Sequence, residues 1–385
     1  MVGIVISQLD RSVIASFQKS KTPITPRNIS RSPREASSQG NISVTISCHV
    51  LGWPTMTKLA TAEAGVLAPY VNYLSESGAD VSRSLDRQNL SLEMVNAGTG
   101  KISKIQGYQF LDMSAREEGI LDLGFRIGER EGLNAIGDFR TSARRAATLK
   151  EAVDIIDAQF SFWIGDNRLW LENEGDEVWL LNASSDGLHK MRHVANQCGV
   201  MILVALVREV AGQHWRPTRI RTGNSPSRAH ESFEALHEAE VELEHDVIGV
   251  RFPANFLSRS VLGSPLLNPD RLPVEPSPHE LSPALEAILH TQIQLRTPPT
   301  ASQAASIAGI SRRTLHRRLQ TDGLTFQGLL DRVRFKLAID MIQNEPKIST
   351  RGLAAQLHFG SASSFVRSFR RIAGVTPGDY RQGIN

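Results

Sequence analysis

A duplicated pattern near the C-terminus constrains the fold of this chain more than any other feature. Residues 311–319 read Ser-Arg-Arg-Thr-Leu-His-Arg-Arg-Leu and follow an alanine-rich segment and the turn residue Gly309. The arrangement recurs after one predicted helix and ends in the basic, aromatic stretch 365–381. Two helix-turn-helix units, each with a basic second helix, suit two successive major-groove faces of DNA. The sequence therefore predicts an all-α C-terminal domain that binds double-stranded DNA.

Polar caps and apolar spacing define the helices of this domain. Thr300 and Gln303 predict a capping box, and Ser311 is expected to cap the second helix of the first unit. The amphipathic stretch 325–343 predicts a connecting helix of about 27 Å, at about 1.5 Å per residue. With its flanking turns, this helix suits two reading helices about 34 Å apart, which is one turn of DNA.

The basic side chains of the first unit fall on two parts of the helix surface. Arg313, His316 and Arg317 share one outer stripe at helical spacing. Arginine and histidine can donate to the O6 and N7 edge of guanine, so this stripe is the candidate for direct base readout. Arg312 and Arg318 lie beside the stripe and are expected to contact phosphates.

The second unit is expected to bind more weakly than the first. It is predicted to begin near Ser349, with its outer helix over 362–371 and with Phe365 and Phe369 turned inward. Three of its outward-facing residues are serines, which offer short hydrogen bonds of little selectivity. The outward set comprises Ser361, Ser363, Ser364 and Arg367.

The distribution of charge along the chain supports a separate nucleic-acid module. Residues 281–385 contain 14 Lys and Arg against 6 Asp and Glu, a net charge of +8. Residues 1–280 contain 29 against 34, a net charge of −5. A basic region confined to one end of the chain is typical of a DNA-binding domain joined to a domain with another role.

Residues 56–262 are predicted to form one α+β or α/β domain, because helical and strand-like periodicities alternate there. Thr148 and Glu151 predict a capping box at the start of a helix. The β-prone runs 160–164, 167–171 and 177–181 predict a three-stranded antiparallel meander. Other predicted helices cover 60–78, 88–96, 105–114, 116–126, 188–211 and 228–237, and other strands cover 217–222, 239–244 and 247–252.

Two segments have compositions unsuited to a packed core. Residues 1–55 are predicted to be a disordered extension, because 19–45 are rich in Ser, Pro and basic residues. Residues 263–280 contain five prolines and are predicted to be a linker. The expected order is therefore extension, sensing domain, linker, and DNA-binding domain over 281–385.

Several other classes of protein are disfavoured. Cys48 and Cys198 are the only cysteines, too few for a disulfide framework or a cysteine-based zinc site. The longest apolar run, 200–207, is far shorter than the roughly 20 residues of a membrane span. The N-terminus lacks the basic leader and apolar core of a signal peptide. We therefore expect a cytoplasmic protein without membrane attachment.

Three other patterns have some features of functional sites. His189 and His193 have a spacing that could hold a metal on a helix, but no further ligand set accompanies them, so no metal or cofactor is predicted. Residues 98–101 resemble part of a phosphate loop but lack its upstream glycine and its Ser or Thr. Trp163, Trp170 and Trp179 are expected in the core, and the lining of an effector pocket is the alternative for them.

The spacing of the C-terminal motif resembles that of the AraC/XylS family of transcription regulators. The resemblance covers 281–385 and is carried by Phe365-x-Arg-x-Phe, Gly374, Thr376-Pro377 and Tyr380-Arg381. It implies base reading by the outer stripes described above. It also implies a left-handed backbone at His358, where relatives have glycine, and a helix weakened by Gly352. Both departures indicate a less rigid second unit.

The N-terminal region resembles, more weakly, the sensing domain of ornithine-utilisation-type regulators in that family. The likeness rests on residues 119–128, the run from Thr148, Trp215-Arg-Pro and Val250-Arg-Phe-Pro. In such relatives this domain binds a small molecule or mediates dimerisation. No ligand-contacting residue can be matched, so the effector stays unknown.

The favoured hypothesis is a one-component, small-molecule-responsive regulator that contacts promoter DNA and RNA polymerase, with a second copy of the chain as a further candidate partner in a homodimer. The first alternative is an enzyme joined to a DNA-binding tail, which would need a cysteine cluster or an activated nucleophile. Neither Cys48 nor Cys198 fits such a site, so no enzymatic activity is predicted. The second alternative is a DNA-binding protein that responds to no effector.

Overall fold

The computed structural model describes residues 58–382, apart from 99, 138, 224–227, 244–245, 262–279 and 296–297. The prediction of a disordered extension over 1–55 therefore lies outside the described residues. The same holds for nearly all of the predicted linker, 263–280.

The described residues up to 261 form an α/β assembly. Its strands are β1 (Thr61–Glu63), β2 (Lys101–Ser103), β3 (Asn167–Glu174), β4 (Glu177–Ser184), β5 (Arg219–Gly223), β6 (Glu240–Leu243) and β7 (Ile248–Pro253). Its α-helices are α1 (Ala68–Glu76), α2 (Val81–Arg87), α3 (Leu92–Ala97), α4 (Lys104–Glu117), α5 (Leu123–Glu131), α6 (Phe139–Ala143), α7 (Leu149–Trp163) and α8 (His193–Ala211). Short 3-10 turns cover Ala64–Leu67, Gly132–Asn134, His189–Met191, Arg228–Ser232 and Ala254–Ser258.

A five-stranded sheet organises this part of the molecule, with strand order β3-β4-β7-β5-β6. All neighbouring strands are antiparallel except β5 and β6, which are parallel. The apolar helix α8 packs on the sheet, and it is long and apolar enough to cross a membrane by length and composition. Most of this helix is buried among core side chains, so its apolar character is explained by the packing.

The predicted three-stranded meander is wrong in its first strand. Residues 160–163 form the last turn of α7, because the helical period set from Thr148 continues through Ile156 and Phe160, which are buried. The cap itself is confirmed, since Thr148 Oγ1 accepts from the Glu151 N–H at 3.3 Å. β3 and β4 form the predicted hairpin, and the third strand beside them is β7.

Three further elements differ from their predicted bounds. The helix expected from Ala60 starts at Ala68, after β1 and a 3-10 turn. The helix expected over 188–211 is interrupted at Arg192, so His189 and His193 do not share one α-helix. The helix expected over 228–237 is a 3-10 turn, Arg228–Ser232, followed by turns.

The described residues from 281 onward are helical, as predicted. They form α9 (Leu281–Leu295), α10 (Ala301–Ile307), α11 (Arg312–Thr321), α12 (Phe326–Asn344), α13 (Thr350–Gln356), α14 (Ala362–Ala373) and α15 (Pro377–Gln382). A second apolar cluster, from Leu281 to Phe369 with Leu59 added, holds these helices together. The capping box of Thr300 and Gln303 is confirmed at the start of α10.

Candidate nucleic-acid interface and sensing cavity

The first helix-turn-helix unit consists of α10, a turn at Gly309 and α11. Gly309 has a φ of +65°, a conformation that favours glycine, and a Cβ there would lie 2.3 Å from Ile105 Cδ1, so Ile105 packs directly against this turn. Ser311 caps α11, because its Oγ accepts from the Thr314 N–H at 3.1 Å. Leu315 and Leu319 are buried, which fixes the rotation of α11 about its axis. The opposite face of α11 is therefore turned to solvent.

The second unit repeats this geometry, and each equivalent position of its outer helix lies fifty residues later in the chain. Ser361 caps α14 by accepting from the Ser364 N–H at 3.1 Å, as Ser311 does for Thr314. Phe365 and Phe369 are buried at the positions of Leu315 and Leu319. Arg317 and Arg367 therefore occupy equivalent positions, and both are exposed.

The basic side chains of the outer helices are available to an anionic partner. Arg312, Arg313, His316 and Arg317 are exposed, and Arg318 is half-buried. Within the part of the chain that the structure describes, none of these side chains forms an ion pair. Four arginines without carboxylate partners on one short helix create a strongly positive surface.

Two of the candidate serines also have a structural role. The hydroxyls of Ser361 and Ser364 lie 2.9 Å apart, and Ser361 caps the helix through its Oγ. Arg367 NH2 lies 3.4 Å from Ser364 Oγ, so these three side chains form one small polar group. Ser363 is exposed beside them. The sequence patterns identified the outward residues of this helix but not the bonds among them.

The connecting helix α12 holds the second unit through one buried carboxylate. Asp331 is bonded to the exposed Arg371 of α14 and accepts from Gln327 Nε2 at 2.9 Å. Phe335 of α12 packs against Phe369 with ring centroids 5.0 Å apart. A nineteen-residue helix at about 1.5 Å per residue is close to the predicted length.

His358 adopts the left-handed backbone predicted for it, with a φ of +55°. Its carbonyl oxygen accepts from Arg334 NH2 at 2.9 Å, and its ring Nε2 lies 3.1 Å from the Ile293 carbonyl oxygen of α9. The Arg334 guanidinium also lies 4.4 Å from the centroid of the Phe359 ring. These contacts fasten the turn to α9 and α12, so the strained residue is held in place from outside the unit.

Comparisons with known proteins agree with this geometry. The helix-turn-helix domain family matches residues 304–383. The arabinose-binding domain family of AraC transcription regulators, an N-terminal domain, matches residues 78–261. The chain belongs to the AraC family of transcription regulators. It is thus a DNA-binding regulator with an effector-binding domain.

Individual relatives of this AraC-family chain carry regulator names as well. The ornithine utilization regulator of Pseudomonas aeruginosa is 23% identical over 324 residues, which are 81% of this chain and 94% of that protein. A helix-turn-helix transcriptional regulator of Mycobacterium tuberculosis is 32% identical over 82 residues, 21% of this chain and 24% of that protein. The crystal structure of transcriptional regulator CdpR from Pseudomonas aeruginosa aligns with a TM-score of 0.33 at 18% identity, covering 78% of this chain and 96% of that one.

The sensing domain of this AraC-family regulator contains a cavity of about 90 Å³ between α1, α4, α7, α8 and the sheet. None of the three tryptophans of the β-prone region lines it. Trp179 is buried in the sheet, where its Nε1 donates to Glu174 Oε2 at 2.8 Å and Arg221 lies over its ring. Trp179 therefore has a packing role, as expected.

One end of the cavity is bounded by a buried ionic network that the sequence patterns did not reveal. Lys104 Nζ donates to Asp166 at 2.7 Å, to Asn167 and Ser184 at 2.9 Å, and to Asp186 at 3.3 Å. Burial tends to raise the pKa of Asp186, but Lys104 and Arg192 outweigh it and hold the pKa below its ordinary value. The partners are 62 to 82 residues apart in the chain, so no local motif could indicate them.

The segment 101–105 links the cavity to the DNA-binding helices. Ile102 and Lys104 line the cavity. At the two ends of the segment, the Lys101 N–H donates to Thr291 Oγ1 of α9 at 2.9 Å, and Ile105 packs against Gly309 in the turn of the first unit. One five-residue segment thus contacts the cavity on one side and the helix-turn-helix framework on the other.

Asn89 provides a second contact between the same two parts of the molecule. It has a φ of +54°, and its backbone carbonyl accepts from Gln292 Nε2 of α9 at 2.8 Å. Its side-chain oxygen accepts from Gln303 Nε2 of α10 at 3.1 Å. The sensing domain therefore bonds directly to the first helix of the first reading unit.

Cys198 of α8 is fully buried, and burial raises the pKa of its thiol to about 12. A thiol with such a pKa is almost wholly protonated near neutral pH and is a poor nucleophile. The metal spacing considered for His189 and His193 is not realised either. Within the described residues, no group of three His, Cys, Asp or Glu side chains is placed to hold a metal ion.

Proposed function

We propose that this chain is a one-component regulator in which a small molecule bound in the cavity changes how the two helix-turn-helix units engage promoter DNA. The observation that carries the proposal is the segment 101–105. Within this segment, Ile102 and Lys104 line the cavity, while Lys101 contacts α9 and Ile105 contacts the Gly309 turn. A ligand that shifts this segment changes the support of the first reading unit and biases two conformations of the molecule.

In this proposal the reading residues divide by role. Arg313, His316 and Arg317 read bases in one major-groove segment, and Arg312 and Arg318 hold phosphates beside it. Arg367 reads the next segment, together with Ser361, Ser363 and Ser364 at the start of α14. The free guanidinium groups of α11 and the equivalence of Arg317 and Arg367 support this division.

We further propose a domain arrangement and a cellular context. Residues 1–55 are an extension, 56–262 the sensing domain, 263–280 a linker and 281–385 the DNA-binding domain. The regulator acts in the cytoplasm, contacts RNA polymerase at the promoter, and pairs with a second copy when its sites are repeated. Since one relative is named for ornithine utilization, ornithine is one effector to test.

The test is a comparison of specific with bulk DNA binding. Genome occupancy in the cell identifies operator sequences, and the purified full chain is then titrated with an operator duplex and with a scrambled duplex at physiological salt. We expect the operator to bind at least about 10³-fold more tightly. A ratio near one would instead favour a DNA-binding protein without regulatory specificity.

A further inference from the structure

The cavity in the sensing domain has an apolar wall and one polar end. The wall is formed by buried aliphatic and aromatic side chains from several elements, among them Leu67, Ile102, Leu111, Phe160, Ile202 and Leu203. The cavity volume is about 90 Å³, which is smaller than the roughly 150 Å³ of an engineered apolar cavity that binds benzene. An apolar wall of this size favours a small, largely hydrocarbon ligand.

Arg192 lines the polar end, and one of its buried hydrogen-bond donors has no acceptor among the described residues. Arg192 is only 5% exposed, and its NH1 and NH2 groups donate to the carbonyl oxygens of Ser184 and Asp246. Its Nε–H has no partner within the described residues. A buried N–H without an acceptor is unfavourable, so a ligand oxygen that accepts from Nε removes this cost.

The charges at this end already balance. Lys104 lies 2.7 Å from Asp166 and 3.3 Å from Asp186, and Arg192 lies 3.8 Å from Asp186. Two cations thus face two carboxylates, and all four groups are largely removed from solvent. A ligand with a net charge would add an uncompensated charge to a buried site, which is strongly disfavoured. Asn196, which is also buried at the cavity, offers a donor and an acceptor without adding charge.

We propose that the cavity binds an uncharged, mostly apolar molecule whose single oxygen, a carbonyl or a hydroxyl, accepts a hydrogen bond from Arg192 Nε. This inference rests on the proposed role of the domain as an effector sensor and specifies the chemical class of the effector. It excludes amino acids and amines as ligands of this cavity, because their ammonium groups would meet Lys104 and Arg192.

The test uses ligands that share one carbon ring and differ in charge and in the acceptor. Binding of cyclopentanone, cyclopentanol, cyclopentylamine, cyclopentanecarboxylate and ornithine to the purified full chain is measured by ligand-observed NMR. We expect the ketone or the alcohol to bind at least tenfold more tightly than each charged compound. Equal or tighter binding of a charged compound, or no binding of either neutral compound, would overturn the proposal.

A conservative variant tests the assigned atom. Arg192→Lys keeps the positive charge and removes Nε, so affinity for the neutral ligands should fall about tenfold. The control is Arg208→Lys in α8, which should leave affinity unchanged, because Arg208 does not line the cavity and its Nε donates to the Trp215 carbonyl at 2.9 Å. Circular dichroism confirms that both variants are folded. Unchanged binding by a folded Arg192→Lys variant would contradict the assignment.

Operator binding, measured separately, distinguishes this inference from the proposed function. If the neutral ring compounds bind through Arg192 but never alter operator affinity, the chemical class stands and the regulatory role of the cavity fails. If ornithine binds in this cavity and alters operator affinity, the regulatory function stands and the chemical class assigned to the cavity fails.

Discussion

At the scale of single residues, function depends on which side chains are left without partners. Most arginines of the sensing domain are paired, as Arg219 and Arg221 are with Glu240 and Glu242 on the neighbouring strand. Within the part of the chain that the structure describes, the guanidinium of Arg317 has no such partner. An unpaired arginine on the exposed face of a capped helix can donate two parallel bonds to guanine without first breaking an ion pair.

Replacing Arg317 with alanine should therefore cost about 1–3 kcal/mol of operator binding and relax the preference for one base pair. The matched variant Arg312→Ala should weaken binding to the operator and to the scrambled duplex alike. It should also reduce the salt dependence of binding by the amount expected for the loss of about one phosphate contact. Fluorescence anisotropy titrations at several salt concentrations measure both effects. If Arg317→Ala weakened both duplexes equally, Arg317 would be a phosphate contact and not a base reader.

Asp186 gives a second prediction at this scale. Its folded pKa is held below the ordinary value of about 3.9, so its interactions stabilise the fold above that pH and are lost as the pH falls through the folded pKa. Asp186→Asn should reduce the free energy of unfolding by about 3 kcal/mol at pH 7, because Lys104 and Arg192 lose a buried partner. Urea titrations between pH 3 and pH 7 should find the two proteins converging in acid. A difference independent of pH would contradict the ionic role.

At the scale of elements, local sequence signals predicted the helical domain far better than the sheet. Caps at Thr300, Ser311 and Thr148 act over three residues, and each was identified correctly. The run 160–164 was misassigned because its aromatic residues are typical of strands, while the helix that includes them is determined by its start at Thr148. The cavity could not be predicted, since its polar end joins groups from Lys104 to Arg192 that only the fold brings together.

The hydrogen bond between β2 and α9 is a candidate route of coupling between the two domains, and an isosteric substitution can test it. Thr291→Val removes the acceptor of the Lys101 N–H and should destabilise this contact by about 1 kcal/mol. It should also reduce the effect of any effector on operator affinity. Thr321→Val is the control, because among the described residues that hydroxyl donates only to the Arg317 carbonyl oxygen of its own helix. An unaltered effector response in Thr291→Val would remove this contact from the coupling route.

At the scale of the whole molecule, two properties combine in one chain: a duplicated basic reading surface and a sensing domain that bonds to its framework. The net positive charge of residues 281–385 draws the DNA-binding end to the duplex, while the acidic remainder does not compete for it. Contacts through Asn89, Lys101 and Ile105 connect the two ends. The family assignment agrees with this division of labour.

Hydroxyl-radical footprinting of the mapped operator tests the central claim most directly. The wild-type chain should protect two segments on one face of the duplex, about one turn or 34 Å apart. Arg317→Ala should weaken protection of one segment and Arg367→Ala that of the other. A single protected segment, or loss of the same segment in both variants, would contradict a regulator that reads DNA with two equivalent helices.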